Sequence, residues 1–327
     1  MDYLVQIGVD WIIAIQGLGA WLELPMKFFS FLGTENFYLL VLPLIYWCID
    51  AGLGIRIGFI LLTSVYVNGI FKLWFAGPRP YWVSGKVIPF SAESSFGVPS
   101  GHAQNAVGIW GIVASGIRKP WAWGAAFALA FFIGFSRWYL GVHFPHDVFV
   151  GWLIGGILLW AFIKFWNPVE AWLKQKTLGL QVFIALIVSV IFIALGAVSV
   201  GRLDGYTLPD EWKTNALRAG ELPAPVSMEN FITSAATLFG LAAGAAWIAS
   251  QGGYQASGPM AQRAIRFVIG FIGILLVWRG LDLILPDNAD LVSFVFRYIR
   301  YSLVGFWVTA GAPWLFFRFK LADQPKM

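Results

Sequence analysis

The chain has 327 residues, of which 59% are hydrophobic and only 12% charged, and its formal net charge is +5. Its mean hydropathy is +0.73. So few charges cannot cover a water-facing surface, which excludes an ordinary soluble domain and leaves lipid to face most of the chain. The basic balance calls for no nucleic-acid partner, because Lys and Arg collect in the cytoplasmic loops of membrane proteins. Eighteen Trp residues suit a chain that crosses the membrane interface many times. The single cysteine, Cys48, allows no internal disulfide and reads as a packed apolar residue.

Residues 1–35 read as an N-terminal interfacial amphipathic helix. Leu4, Ile7 and Trp11 fall on one side, with Gln6 and Asp10 on the other. Asp2 and Asp10 without a positive leading segment argue against a cleavable signal. Nine apolar stretches of membrane-spanning length follow, near 36–53, 55–76, 101–117, 121–140, 147–166, 178–200, 230–250, 265–285 and 299–318. The fold expected is all-α, a polytopic transmembrane bundle. Residues 36–170 would form a core of five spans and 171–327 a C-terminal extension of four. The connection 201–229, with Pro209, Pro223, Pro225 and mixed charges, reads as an ordinary solvated loop. Gly240 and Gly244 form one GxxxG, read as close helix packing rather than dimerisation.

Loop charges set the expected orientation. Arg56, Arg118, Lys119, Lys164, Lys174, Lys176, Arg263, Arg266, Arg318, Lys320 and Lys326 fall on one side. The other side receives Asp2, Asp10, Glu23, Glu35, Asp204, Asp210, Glu211, Glu221, Asp287 and Asp290. The basic side should be cytoplasmic, with the N-terminus outside and the C-terminus inside.

Three polar clusters interrupt the apolar background: Lys72 with Arg79-Pro80, Pro99-Ser100-Gly101-His102, and Ser136-Arg137 with His143 and Asp147. All fall at the expected outer ends of spans two to five. Lys72, Arg79 and Arg137 put three cations near one membrane face, where charge is costly and an anion is the natural compensation. An Arg fork and a Lys point charge both suit phosphate oxygens. Ser100 stands at the N-cap position of a span, whose first amides form an anion site, and Gly101 permits close backbone approach. The chain's only histidines are His102, His143 and His146, all within these clusters. A neutral imidazole can attack phosphorus, and a second can protonate the leaving oxygen. Pro145 suits the first position of a helix, which places Asp147 within reach of a His143 ring nitrogen.

The order KxxxxxxRP, PSGH, SRxxxxxHxxxD resembles the signature of the type 2 phosphatidic acid phosphatase superfamily at all eleven specified positions. The resemblance covers roughly residues 37–166. It implies phosphate binding by Lys72, Arg79, Ser100, Gly101 and Arg137. It implies a phosphohistidine on His143, polarised by Asp147, with His102 as acid and then base, and neither metal nor other cofactor. RPYW at 79–82, PSGHA at 99–103 and HFPH at 143–146 are also similar to the glucose-6-phosphatase branch, as is the place of Glu93 upstream of PSGH. That branch has Gln where this chain has Asp147.

Glu93 is open between a contact to a substrate hydroxyl and a solvated loop acid. His146 reads as a structural or rim residue, and Arg279 with Asp282 as an i,i+3 pair. Asn68, Gln104 and Asn105 are open between support of the site and helix–helix hydrogen bonds. The expected function is hydrolysis of a phosphate monoester, lipid or small, at an extracytoplasmic site in the bilayer. A soluble sugar phosphate or an isoprenyl diphosphate is the alternative substrate. A transporter of phosphorylated solutes is the other class, weakened by the absence of an internal repeat. A degenerate member acting through partners would have lost motif positions, and none is lost.

Overall fold

Proline and small polar residues mark where helices begin. Pro80, Pro120 and Pro145 each open a helix, where the missing N–H costs nothing. The computed structural model describes residues 3–286 and 290–323, and every regular element among them is helical. Asp2, Asp287 and Lys326, counted in the loop charges, lie outside the described residues.

The elements are α1 (Tyr3–Gln16), α2 (Glu23–Phe31), α3 (Glu35–Leu44), α4 (Ala51–Phe75), α5 (Pro80–Val83), α6 (Gly101–Ile117) and α7 (Pro120–Tyr139). Then come α8 (Pro145–Lys174), α9 (Leu178–Gly201), α10 (Asp210–Leu217), α11 (Glu229–Ser250), α12 (Met260–Leu275), α13 (Leu291–Phe306) and α14 (Ala312–Arg318). π-helical turns extend α3, α12 and α13 at Ile45–Ile49, Leu276–Gly280 and Trp307–Gly311. Each of the nine expected spans falls on helix. Among the described residues six segments are long and apolar enough to cross a membrane, or seven if the bent N-terminal pair counts as one span. α3 with its π-helical turn, α6 and α7 fall outside that set by length or composition. α6 is 17 residues and carries His102, Gln104 and Asn105 in its first turns.

The N-terminal region differs from one amphipathic helix. It is two helices bent by 88° around a break after Gln16. Ile7 and Trp11 face outward, while Val9 and Ile12 are buried. Gly8 lies against the Phe144 ring, and Trp11 meets Trp138 edge to face with centroids 6.2 Å apart. Packing on α7 and on the 141–146 turn, rather than amphipathic pattern, sets its inward side. The expected solvated loop at 201–229 also differs: it contains α10, which packs against α5, and Asn215 Nδ2 donates to the Trp82 carbonyl at 3.0 Å.

The described chain forms two compact units. One comprises Met1–Tyr38, Val67–Ala161 and Ala197–Ser227, and the other Leu39–Tyr66, Phe162–Gly196 and Met228–Met327. The first gathers pieces from all three expected segments. In it α6 and α7 meet through small residues, Ala106 against Ala130 and Ile133, and Ala114 against Ala122 and Ala126. Small side chains let helices approach where lipid supplies no hydrophobic drive.

The second unit packs around Trp47, Tyr254, Ile274, Ala312 and Phe316, with Cys48 buried among them. Here the GxxxG pair closes α11 on α13. A Cβ at Gly240 would lie 1.9 Å from the Ser302 carbonyl oxygen, and one at Gly244 would lie 2.2 Å from Thr309 Oγ1. The two positions are therefore consumed by packing within the chain. Gly240→Ile should force these backbones apart at a cost of about 1–3 kcal/mol. The expected result is a lower thermal midpoint in detergent; an unchanged midpoint would show that the helices do not touch there.

Candidate active site

All the expected site residues lie in the first unit. Lys72 is in the last turn of α4, and Arg79 caps α5 with extended backbone. Ser100 caps α6, its Oγ accepting from the Ala103 amide at 3.4 Å. Arg137 is in the last turn of α7, and His143 lies in the turn before α8, whose first turn carries Asp147. Glu93, Ser95 and Phe96 come from the loop between α5 and α6.

His143 is buried and bonded at both ring nitrogens. Nδ1 lies 3.2 Å from Asp147 Oδ2, and Nε2 lies 3.2 Å from Arg79 Nη1. A guanidinium can only donate, so Nε2 must accept and the ring proton must sit on Nδ1, facing the carboxylate. That tautomer leaves the Nε2 lone pair directed toward the cations. Burial, together with the Arg79, Arg137 and Lys72 charges, pushes the imidazole well below the usual histidine range. It is therefore neutral at physiological pH, the form that can attack phosphorus.

Asp147 is tied in twice. Its Oδ2 also accepts from the Phe144 amide at 2.8 Å, and its backbone carbonyl accepts from the Ser100 amide at 2.9 Å. The start of α6 and the histidine turn are thus referenced to one residue. Gly97 makes this possible. A Cβ there would lie 2.5 Å from the Pro78 carbonyl oxygen and 3.1 Å from Asp147 Oδ2. His146 is half-exposed, stacks on Phe144, and places Nε2 3.1 Å from Asp147 Oδ1.

The cations converge on the same loop. Arg79 is fully buried and donates through Nε to the Ser95 carbonyl and through Nη1 to the Val142 carbonyl. Its Nη2 donates to Ser95 Oγ and the Phe96 carbonyl. Lys72 Nζ donates to the same two acceptors, Ser95 Oγ at 2.8 Å and the Phe96 carbonyl at 2.6 Å. Arg137, also buried, donates to Ser30 Oγ of α2 and to Glu93 Oε1, while its Nε has no hydrogen-bond partner among the described residues. Glu93 Oε2 lies 3.7 Å from Arg79 Nη2. Burial alone would raise the Glu93 carboxyl, but Arg137 and Arg79, with His102 and Lys72 further off, hold it below the usual carboxylate range. Glu93 is thus ion-paired to two arginines while a quarter of its side chain stays exposed.

His102, in the first turn of α6, packs against the end of α2, where a Cβ at Gly33 would lie 2.8 Å from its ring. Gly101 lies against Asn68, whose Nδ2 donates to the Pro99 carbonyl at 3.3 Å and to Gln104 Oε1 at 3.0 Å. Asn68 and Gln104 therefore brace the Pro99–Ser100 turn, which contains a cis Val98–Pro99 bond. Arg279 belongs to the second unit and pairs with Asp282 at 3.5 Å; Asp282 also holds buried Arg300, a partner the sequence did not suggest. Among the described residues no group of His, Cys, Asp and Glu is arranged to hold a metal ion.

Ser30, Ser95, the Phe96 carbonyl and Gln16 are participants that no motif marks. Gln16 Nε2 donates to the carbonyls of Ile88 at 2.7 Å and Tyr139 at 3.0 Å, and its Oε1 accepts from the Ile88 amide. It ties α1 to the site loop and to the end of α7.

This arrangement, a buried imidazole backed by a carboxylate and fronted by three cations in a multi-pass membrane helical protein, has the chemistry of an integral membrane phosphatase site. Residues 53–170 match the PAP2 superfamily, and residues 232–324 match the PAP2 superfamily phosphatase transmembrane extension. Phosphatidylglycerophosphatase B of Bacillus subtilis (strain 168) is 31% identical over 48% of this chain and 80% of that protein. With this, the chain belongs to the PAP2 superfamily. Glucose-6-phosphatase 3 of Rattus norvegicus is 31% identical over 49% of this chain, an alignment that spans 53% of that relative, about half its length. The Bos taurus protein of the same name is 25% identical over 99% of both chains.

Replacing Gln16 with Ala leaves the Ile88 amide and two carbonyls to find other partners, at about 1–3 kcal/mol for each group left buried. Amide exchange across 84–92 should quicken while α11 and α13 keep their protection. Unchanged exchange in the loop would show that α1 does not restrain it.

Proposed function

We propose that this chain hydrolyses a phosphate monoester, with a lipid phosphate as the substrate class, through a covalent phosphohistidine on His143 and without a metal. The observation that carries this is the two-sided hold on His143: Nδ1 against Asp147, Nε2 toward Arg79. Lys72, Arg79 and Arg137 supply the positive charge that phosphoryl transfer needs. Nε2 attacks phosphorus, the ester P–O bond breaks, and His102, carrying a proton taken up together with the phosphate dianion, gives it to the leaving oxygen. Neutral His102 then takes a proton from water, the oxygen attacks phosphorus, and the P–N bond breaks to return His143 and release phosphate. Asp147 holds the tautomer and stabilises the ring as charge develops.

His143→Ala should abolish phosphate release without unfolding the protein, which keeps a cooperative melting transition. Asp147→Asn should lower kcat about a thousandfold or more, by losing the carboxylate that fixes the tautomer. Activity surviving both His143→Ala and His102→Ala would refute the mechanism. Because burial holds His143 neutral, single-turnover labelling of the histidine with radioactive phosphate should persist at pH 6, where an ordinary imidazole of pKa about 6.5 is mostly charged. Labelling that disappears between pH 7 and pH 6 would contradict a depressed imidazole.

The lipid assignment is supported by a relative that is 31% identical and covered over 80% of its length, phosphatidylglycerophosphatase B, whose name specifies a phospholipid phosphatase. The full-length alignment to a glucose-6-phosphatase favours a second reading, a soluble sugar phosphate. Phosphate release from phosphatidylglycerophosphate, phosphatidic acid, an isoprenyl diphosphate and glucose 6-phosphate in detergent, with His143→Ala as blank, separates them. The loop charges support an extracytoplasmic site, N-terminus outside and C-terminus inside. Access of an impermeant substrate to sealed, oriented vesicles tests the side.

A further inference from the structure

Every N–H of the Arg79 guanidinium already has an acceptor: Ser95 O and Oγ, Phe96 O, Val142 O and the His143 ring. Lys72 is also engaged, and one edge of Arg137 is held by the Glu93 carboxylate. A phosphate that takes the edge of Arg137 held by Glu93 must replace the carboxylate there. The backbone around the acceptors is fixed. The Tyr81 hydroxyl bonds both the amide and the carbonyl of Glu93, at 3.1 and 3.2 Å. The Ser94 carbonyl accepts from the Ala224 amide at 3.1 Å, and the Gly97 amide donates to the Gly77 carbonyl at 2.8 Å. The Glu93 side chain is the exception. It is a quarter exposed, reaches the arginines only through its carboxylate, and can swing away without disturbing these bonds.

We propose that the Glu93 carboxylate occupies part of the phosphate subsite and is an internal anion that the incoming phosphate displaces from Arg137 and Arg79. This rests on the assignment of Lys72, Arg79 and Arg137 to phosphate. A carboxylate and a phosphate present similar oxygen forks to a guanidinium, so one can replace the other without moving the arginine. In the empty site Glu93 keeps two buried guanidinia compensated. With phosphate bound, repulsion drives its carboxylate outward, and on product departure it returns to the arginines. It therefore weakens the hold on phosphate and keeps product from being retained.

The test measures binding of inorganic phosphate by calorimetry to the full-length protein in detergent. The parent is the His143→Ala protein, which removes turnover. Glu93→Gln in that background should tighten phosphate about tenfold, because a neutral amide competes less well for a guanidinium. Glu93→Asp keeps the charge but falls one carbon short of Arg137, and should tighten phosphate as well. Weaker binding in Glu93→Gln would make Glu93 a residue that positions Arg137, and would overturn the proposal. So would an unchanged constant, or tightening in Glu93→Gln alone, which would reduce the effect to a general field. Failure of the parent to bind phosphate at all would instead remove the cradle on which the proposal stands. The Tyr81 bonds to the Glu93 backbone predict that both variants fold, which the melting midpoint verifies.

Discussion

Three buried or half-buried cations at the ends of membrane helices are what the rest of this site is arranged around. Removing a guanidinium from water without an anion costs several kcal/mol, and lipid offers no relief. The chain answers with backbone carbonyls from the loop after α5, with two serine hydroxyls and with one carboxylate. Carbonyl oxygens solvate a cation without cancelling its charge. The field therefore remains available to a phosphate, while the apo protein avoids an unsatisfied buried donor. Among the described residues Glu93 is the carboxylate within ion-pair distance of both arginines, at the edge of the group where a side chain can move.

Much of this was legible from the residues. Each cluster sits where a helix begins or ends, so spacing alone put Ser100 at an N-cap and Asp147 one turn into α8, beside His143. The GxxxG of α11 was read correctly as packing, because two glycines one turn apart leave a groove that fits only another backbone. The apolar runs gave helix at all nine expected places, since periodicity hardly matters when a segment is apolar all round.

What was not legible depended on contacts without a pattern. Ser30 and Gln16 lie far from the motifs in sequence, and they act through one and three hydrogen bonds that no sequence pattern marks. Ile7 and Trp11 do face outward, as the amphipathic pattern of α1 suggests, but the 88° bend after Gln16 and the burial of Val9 and Ile12 depend on packing that the pattern does not encode. The 201–229 connection was misread because proline and charge suggest solvent, whereas its helix spends Asn215 and Trp212 on the tryptophan of α5. Glu93 was visible as a residue but not as a partner, since a loop carboxylate acquires its meaning only when two arginines from other helices arrive beside it.

The double attachment of Asp147 has a consequence for how such a site can diverge. Its carbonyl anchors the start of α6, and its carboxylate tunes the imidazole; the first function belongs to the main chain and the second to the side chain. A replacement there can alter the basicity of the nucleophile while the helix that presents the phosphate-facing amides keeps its place. The site can thus change its reactivity by one codon without rebuilding its architecture.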